Sequence, residues 1–278
     1  MSRSGAAAES AQPHSRPWFE VAFQEAYLEL YRHRDLQEAR RAVEFLGEAL
    51  ALRPEHRLLD LCCGPGRHLL FLARHVRRAF GLDLSRVLLG RAGEHWAALH
   101  AANPRALPAA RPMLMQGDMR RLPVADGAVD RVVNLFTSFG YFEDDAENQG
   151  VLDEVGRVLS RRRGAEGWFA IDHINRERLL ASLRPRSERS LPGGRRVIES
   201  RHWDAATRRV VKDVVCVDAS GEEHAWRESV RVYSPTTLER MLAAARLEPV
   251  ARHGDYDGSA WHEAAPRMIL IARRMPEG

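Results

Sequence analysis

The sequence is poor in cysteine and has no long apolar run, and each shortage excludes a class of protein. Three cysteines, two of them adjacent, cannot build a disulfide framework, which agrees with a reducing compartment. No apolar run approaches the roughly 18 to 20 residues that span a bilayer, and residues 1–18 hold no apolar segment typical of a signal peptide. We therefore expect a cytoplasmic protein with no membrane partner.

Lysine is nearly absent. Lys212 is the single lysine among 42 basic residues, so the basic character comes almost entirely from arginine. The formal net charge is +4, but 42 basic residues stand against 38 acidic ones. Because the arginine guanidinium suits phosphate and carboxylate groups, this composition permits an acidic partner such as nucleic acid without demanding one.

From residue 54 onward, short apolar strands alternate with helices. The strands include "HRLLDLCC", "RAFGLDLS", "PMLMQGD", "DRVVNLF" and "GWFAIDHI". Strands that alternate with helices predict a parallel sheet covered on both faces, a doubly wound α/β fold with a Rossmann-like sheet. The 278 residues, 45% of them apolar, suffice for its core.

Two regions differ from this alternation. Residues 1–16 are small and polar and predict a disordered tail, whereas residues 17–53 predict two helices, the first with Phe19, Phe23, Tyr27 and Tyr31 on one face. Residues 184–233 begin with a basic linker and continue with three alternating segments, which predict an antiparallel β insertion after the fifth strand. The α/β domain then comprises residues 54–183 and 234–278, and Ser234 with Pro235 predicts the start of its last long helix.

The segment "LLDLCCGPGRHLLFLA", residues 58–73, places a glycine turn between a strand and a helix. Such a turn brings bare backbone N–H groups against a ligand. A dinucleotide fingerprint requires a third glycine, but Leu69 stands there, and a P-loop requires Gly-Lys-Ser/Thr, which Arg67-His68 does not supply. Cys62 and Cys63 point to opposite faces of the strand, which disfavours a metal site.

The turn resembles the first motif of class I S-adenosylmethionine-dependent methyltransferases. Asp60 stands at its acidic position, Gly64 and Gly66 are its glycines, and Cys62 replaces the usual first glycine. Further motifs follow in the family order, "GLDLS", "GDMRRLP" and "NLFTSFGYF", so that the resemblance covers about residues 58 to 172. In the family, the acid of the second motif binds the ribose hydroxyls and the third motif holds the adenine.

The resemblance implies that the cofactor is S-adenosylmethionine, with S-adenosylhomocysteine as product, and that no metal is needed. The residues that it assigns to cofactor binding are Tyr31, Arg34, Asp60, Cys62, Gly64, Gly66, Asp83, Leu84, Asp118, Met119 and Asn134.

A narrower resemblance is carried by "YLELYRHR", by "TSFGYF" and by the β insertion. These features are similar to the small-molecule branch that includes deoxysugar N,N-dimethyltransferases and other natural-product enzymes. The branch implies that the N-terminal helices cap the cofactor, that the insertion covers the acceptor site, and that a nitrogen or oxygen of a small molecule is methylated. Tyr141 stands where the sugar enzymes carry an active-site histidine.

Three side chains are candidates for catalysis. Methyl transfer from a sulfonium depends mainly on positioning, but a base near pH 7 helps when the acceptor carries a proton. His173 and the Tyr141 hydroxyl are candidates for that base, and Tyr27 is expected in the cap over the cofactor.

Other functions stay open at this stage. An RNA methyltransferase and a non-catalytic S-adenosylmethionine-binding protein are both compatible with the motifs, and a homodimer is possible. DNA amino-methyltransferases carry an Asp/Asn-Pro-Pro-aromatic tetrad where this chain has "NLFT", and cytosine-C5 enzymes need a Pro-Cys pair, which the chain lacks. Nucleic acid is therefore a less favoured partner than a small molecule.

Overall fold

The computed structural model describes residues 16–23, 27–28, 36–102, 111–162 and 165–276. The predicted tail, apart from Arg16, lies outside this part of the chain, as do Tyr31 and Arg34. The helices of the described part are α1 (Trp18–Ala22), α2 (Leu36–Ala49), α3 (Arg67–Leu72), α4 (Arg86–Ala102), α5 (Asp145–Val158), α6 (Arg176–Ser182) and α7 (Pro235–Ala244).

A seven-stranded sheet forms the centre of the fold, in the order β12-β13-β7-β4-β1-β2-β3. Its strands are β1 (Arg57–Leu61), β2 (Arg78–Asp83), β3 (Met113–Gln116), β4 (Arg131–Asn134), β7 (Trp168–His173), β12 (Leu247–His253) and β13 (Met268–Arg274). The five strands from β7 to β3 run parallel, whereas β13 is antiparallel to both of its neighbours. The predicted Rossmann-like α/β fold is confirmed.

Apolar strands bury this sheet on both faces. Every residue of β4 is buried, and β1 and β7 each expose only their first residue. Two apolar clusters result, one containing Leu59, Val132 and Phe169 and the other containing Leu58 and Val133. Neighbouring strand residues thus contribute alternately to the two sides, as a sheet covered by helices on both faces requires.

A separate four-stranded antiparallel sheet follows β7, in the order β11-β10-β9-β8. Its strands are β8 (Arg186–Leu191), β9 (Arg195–Asp204), β10 (Arg209–Val217) and β11 (Glu223–Arg231). The sequence predicts β9, β10 and β11, but it predicts a linker where the structure has β8. Most of its side chains are polar, so no apolar alternation marks it, and it forms by backbone pairing with β9.

A short hairpin and a helix N-cap are two further local features of the fold. A two-stranded hairpin, β5 (Arg161–Arg162) and β6 (Ala165–Glu166), precedes β7 and was not predicted. At the start of α7 the Ser234 hydroxyl accepts a hydrogen bond from the Thr237 N–H, so the predicted N-cap is confirmed. Within the described residues, no helix combines the length and the apolar character needed to cross a bilayer.

Candidate active site

The glycine turn between β1 and α3 has an unusual backbone. Cys62, Gly64 and Gly66 all have positive φ, at 61°, 53° and 77°. A Cβ on Gly66 would lie 2.9 Å from the Ala92 Cβ, so this position admits no side chain. Cys62 adopts a left-handed backbone conformation, which glycine adopts most easily. This explains why the family that the motif resembles usually has glycine at this position.

Asp83, the last residue of β2, stabilises this turn through hydrogen bonds to backbone N–H groups. Its Oδ2 accepts a hydrogen bond from the Gly64 N–H at 2.8 Å, and its Oδ1 accepts one from the Ser85 N–H at 2.8 Å. Burial raises the pKa of Asp83, although these backbone donors oppose the shift. Each carboxylate oxygen keeps a further lone pair for a ligand hydroxyl.

Asp60, the fourth residue of β1, is 2% exposed, and its Oδ2 has no hydrogen-bond partner among the described residues. Burial, reinforced by the charge of Asp83, raises the pKa of Asp60 to about 8, while Arg67 opposes the rise. A buried carboxylate without a partner is costly to keep ionised. The site therefore favours a ligand that brings a positive charge or a donor to Asp60.

Asp118 and Met119 follow β3 at the same edge of the sheet. Arg120 donates to both Asp118 oxygens, through its backbone N–H at 2.8 Å to Oδ1 and its Nη2 at 2.6 Å to Oδ2. Burial raises the pKa of Asp118, but these hydrogen bonds outweigh it and hold the pKa below its usual value. Met119 is buried, with its sulfur 3.5 Å from the Cys62 sulfur.

These groups line one cavity of about 850 Å³, including its open mouth. Among the residues assigned from the sequence, the cavity is lined by Tyr27, Asp60, Cys62, Gly64, Asp83, Leu84, Asp118, Met119 and Tyr141. Phe19 and Phe23 lie over it from the N-terminal segment, and the Ser85 hydroxyl donates to the Phe23 carbonyl at 2.6 Å.

Two residues assigned to cofactor binding lie elsewhere, and two more fall outside the described part of the chain. Gly66 shapes the turn without lining this cavity. Asn134 is 1% exposed, and its Nδ2 donates to the Leu61 carbonyl at 3.1 Å, so it joins β4 to β1. Tyr31 and Arg34 lie outside the described residues, so their assignment stays a prediction.

His173, the last residue of β7, is 1% exposed and lines neither this cavity nor the second one described below. Its Nε2 accepts a hydrogen bond from the Tyr233 N–H at 3.3 Å, and burial lowers its pKa to about 4. The structure thus separates His173 from the pocket. Although His173 ends a strand at the carboxyl edge of the sheet, its imidazole packs against Tyr233 and faces neither cavity.

A second cavity, called here the acceptor chamber after the role proposed for it below, lies between the first cavity and the four-stranded sheet. Phe23, Tyr27, Phe136 and Tyr141 line both cavities. The far side of the chamber carries Arg201, Lys212, Glu228, Val210 and Val230 of the inserted sheet, together with Glu38 and Arg267. One end is aromatic and the other is charged.

The aromatic end is tightly packed. The Tyr141 ring stacks on Phe23 at 5.6 Å between centroids, and it meets Trp18 edge-on at 4.9 Å. Phe23 meets Tyr27 edge-on at 5.0 Å. Burial raises the pKa of the Tyr141 hydroxyl well above its usual value, while a hydrogen bond with Ser138 opposes the rise. Tyr141 therefore stays protonated near neutral pH.

Comparison with known families adds the deciding observation: residues 58–162 match the family model described as "Methyltransferase domain". This part of the chain is similar to methyltransferase domains. The match begins at β1 and ends at β5, so it includes the glycine turn, Asp83, Asp118 and Tyr141.

One curated relative and two solved structures extend this result. Over 130 residues the chain is 32% identical to an uncharacterized methyltransferase of Synechocystis sp., which covers 46% of this chain and 52% of the relative. The chain thus spans about half the length of that curated relative.

The structures are an S-adenosylmethionine-dependent methyltransferase from Clostridium acetobutylicum and the sugar N-methyltransferase KedS8 from Streptoalloteichus sp. The first has a TM-score of 0.73 and 16% identity over 93% of this chain and 99% of its own. KedS8 has a TM-score of 0.65 and 23% identity over 99% of this chain and 100% of its own. Both share the fold, and the domain match supports the family resemblance seen in the sequence.

The matched region contains a strained turn that the sequence did not reveal. Phe136 and Thr137, directly after β4, both have positive φ, at 55° and 60°. Asp172 holds the turn: its Oδ2 accepts from the Phe136 N–H at 3.1 Å, and its carbonyl accepts from the Thr137 N–H at 3.0 Å. Consecutive left-handed residues without glycine are costly and persist only when their surroundings fix them.

Asp172 is itself fixed by two partners from the end of the chain. The Tyr256 hydroxyl donates to its Oδ2 at 2.7 Å and Arg267 Nη1 donates at 2.9 Å. Arg67 and Arg267 each place a guanidinium over the Phe136 ring, at 5.1 and 4.6 Å from its centroid. No local pattern links these residues, because they come from four distant segments.

Arg209, the first residue of β10, holds the segment that carries Tyr141. Its Nη1 donates to the Phe142 carbonyl at 2.9 Å and its Nη2 donates to the Tyr141 carbonyl at 3.1 Å. The inserted sheet therefore positions the aromatic end of the chamber as well as covering it. Within the described residues, no group of three or more His, Cys, Asp or Glu side chains could hold a metal ion.

Proposed function

We propose that this chain is an enzyme that transfers a methyl group from S-adenosylmethionine to a nitrogen or oxygen of a small polar acceptor. The observation that carries the proposal is the shared wall of the two cavities, formed by Phe23, Tyr27, Phe136 and Tyr141. A donor in one cavity and an acceptor in the other would meet at these aromatic side chains.

The hydrogen-bonding groups that line the first cavity complement those of S-adenosylmethionine. Gly64 presents backbone without a side chain to the cavity, Asp83 offers free lone pairs, and the buried Asp60 Oδ2 lacks a hydrogen-bond donor among the described residues. When bound, S-adenosylmethionine supplies a methyl group on a positively charged sulfur. Asp60 and the aromatic side chains would favour its positive charges, while Asp83 would accept hydrogen bonds from its ribose.

The acceptor chamber supports a small polar substrate. Arg201, Lys212 and Glu228 stand directly opposite one another on β9, β10 and β11, so they form one charged row across the inserted sheet. Lys212 Nζ lies 2.6 Å from Glu228 Oε2, and Arg201 Nη2 lies 2.6 Å from Glu199 Oε2. We infer that residues 184–233 cover the acceptor site and that this charged row binds the polar end of the acceptor.

The hydroxyls of Tyr141 and Tyr27 are proposed to orient the acceptor. Since Tyr141 keeps its proton near neutral pH, it would act through hydrogen bonding, whereas His173 is buried and lines neither cavity. KedS8 is a sugar N-methyltransferase, and its fold supports an amino sugar or a related natural product as the acceptor class.

The cofactor assignment is tested by calorimetry with S-adenosylhomocysteine. Asp83→Ala should weaken binding at least about 100-fold, because two hydrogen bonds to a charged group are worth roughly 3 kcal/mol together. Asp153→Ala on the exposed face of α5 removes the same group and should leave the affinity within twofold. Wild-type protein that binds neither S-adenosylmethionine nor its product would refute the proposal.

Transfer itself is tested with S-adenosylmethionine carrying a radiolabelled methyl group. The wild-type protein should label a small molecule in a metabolite extract, and Asp83→Ala should abolish the labelling. Tight cofactor binding without labelling of any acceptor would instead indicate a binding protein without catalytic activity.

A further inference from the structure

A third cavity lies at the opposite edge of the central sheet, where the parallel strands begin. It is a groove of about 1,480 Å³ lined at the amino ends of β2, β1, β4 and β7. The cofactor cavity lies at the carboxyl ends of the same strands, and β1 alone separates the two edges by five residues, roughly 17 Å. The groove therefore cannot hold the methyl acceptor.

The groove is strongly basic. Its lining contains six arginines against three carboxylates: Arg53, Arg57, Arg77, Arg78, Arg131 and Arg162 against Glu55, Asp130 and Glu166. Arg57 is neutralised by Asp130, to which it donates at 2.8 and 3.0 Å. The groove then retains five arginines against two carboxylates, a net charge of +3 from the residues named.

Four of these guanidiniums are unengaged. Within the described residues, the side chains of Arg53, Arg77, Arg78 and Arg162 make no ion pair or hydrogen bond, and all four are exposed. Exposed arginines on a surface usually spread apart or pair with carboxylates. Here they border one concave surface with the fixed fork geometry that suits phosphate oxygens.

Arg131 supplies an independent observation. It is 6% exposed, and its Nε and Nη1 donate only to carbonyls, those of Leu50, Asp130 and Glu166. Its Nη2 faces His56 Nε2 at 3.3 Å, while His56 Nδ1 accepts from the Arg53 N–H at 3.1 Å. A neutral imidazole has one acceptor nitrogen, so His56 Nε2 carries its proton and two donors face each other.

A bound anion would relieve this unfavourable contact between two hydrogen-bond donors. An oxygen atom within hydrogen-bond distance of both Arg131 Nη2 and His56 Nε2, on the side that faces the groove, would accept from both, and the exposed arginines border the same groove. Neighbouring strands lie about 4.8 Å apart, so the four strand ends span about 14 Å, enough for more than one phosphate group. We propose that this groove, called here the arginine groove, binds a ligand with two or more linked phosphate groups.

Linked phosphates occur in free diphosphate compounds and in a nucleic-acid backbone. Two probes separate these sources: inorganic diphosphate and a 12-nucleotide single-stranded RNA, each titrated by calorimetry at low salt. Binding of diphosphate alone would assign the groove to a free compound. RNA binding that excess diphosphate displaces would assign it to nucleic acid.

The variant that tests the groove combines Arg53→Gln, Arg78→Gln and Arg162→Gln, which leaves the buried Arg131 and the fold intact. It should weaken binding of the probe at least about tenfold. The matched control combines Arg184→Gln, Arg186→Gln and Arg240→Gln, three exposed arginines outside the groove, and should change the affinity less than twofold.

Saturating the protein with S-adenosylhomocysteine provides a further check, since the groove and the cofactor cavity lie at opposite edges. Affinity for the probe should stay within twofold. Competition with the cofactor product, an equal loss in the control variant, or no binding of either probe would overturn the assignment. None of these results bears on cofactor binding, which is measured separately.

Discussion

Asp60 is the residue whose chemistry depends most on the ligand. In the free protein burial raises its pKa from 3.8 to about 8, so the carboxyl holds a proton through much of the physiological range. The unfolded chain releases this proton near pH 4. The free protein should consequently lose stability as the pH rises from about 4 to about 8, because the folded state retains a proton that the unfolded state has lost.

This raised pKa predicts a pH-dependent affinity. S-adenosylhomocysteine carries an ammonium group, which favours the ionised form of Asp60 and lowers its pKa in the complex. Binding below pH 8 should therefore release a proton, and affinity should rise between pH 6 and pH 8 by up to about tenfold per unit. Calorimetry in buffers with different ionisation enthalpies measures the proton directly.

Asp60→Asn is the control for this titration. The amide cannot ionise, so its complex should form with a smaller proton release and with an affinity that is nearly independent of pH between 6 and 8. If the pH dependence persists unchanged in this variant, it belongs to another group, of which Asp83 is the first candidate.

At the scale of elements, the segment after β4 depends on a partner from β7. Asp172 accepts from the Phe136 N–H, from Tyr256 and from Arg267, and it is 1% exposed. The strained backbone is thus fixed by one residue, whose carboxylate holds the Phe136 N–H and whose carbonyl holds the Thr137 N–H. Because Phe136 lines both cavities, Asp172 positions part of the wall that the two cavities share.

Asp172→Asn should lower the free energy of unfolding by about 3 kcal/mol, since it removes the charge that pairs with a largely buried arginine. It should also weaken binding of S-adenosylhomocysteine, because the turn relaxes. Urea denaturation and calorimetry measure the two effects. Asp213→Asn, which disturbs the exposed pair with Arg227, should cost less than about 1 kcal/mol; an equal loss in both variants would contradict the role of Asp172.

The elements with a regular apolar period could be predicted from the sequence, and so could the motifs that lie within one strand and its following turn. The parallel strands, α2 and the side chains of Asp60, Asp83 and Asp118 belong to this class. β8 could not, because it is held by backbone pairing and its side chains carry no period.

The remaining site residues escaped prediction for a different reason. Asp172, Arg209 and Arg267 act through partners more than 30 residues away, so no local spacing marks them. His173 illustrates the opposite case. The sequence places it at the end of a strand, but the direction of its side chain depends on packing against Tyr233, which the sequence does not show.

In the whole molecule, two separate sheets contribute to two neighbouring cavities. The central sheet forms the cofactor cavity, and the inserted sheet contributes the charged row of the acceptor chamber. If the chamber selects the acceptor, a change in that row should alter acceptor recognition without altering cofactor binding.

Lys212→Met tests this separation. With the acceptor identified by methyl labelling, KM should rise at least about tenfold, whereas the affinity for S-adenosylhomocysteine should stay within twofold. Arg227→Met removes the same charge from the outer face of the same sheet, where Arg227 pairs with Asp213, and should change neither value. A fall in cofactor affinity in Lys212→Met would show that the two cavities are not independent.

The position of Phe23 has a consequence for the order of events in a catalytic cycle. α1 has five residues, too few to be stable by itself, so its docking depends on side chains such as Phe19 and on the Ser85 hydrogen bond to Phe23. Moving Phe23 aside opens the cofactor cavity and at the same time removes a wall of the acceptor chamber. If the cofactor exchanges through this movement of Phe23, an acceptor in the chamber would be released at the same time, which would favour a sequence in which the cofactor enters first and its product leaves last.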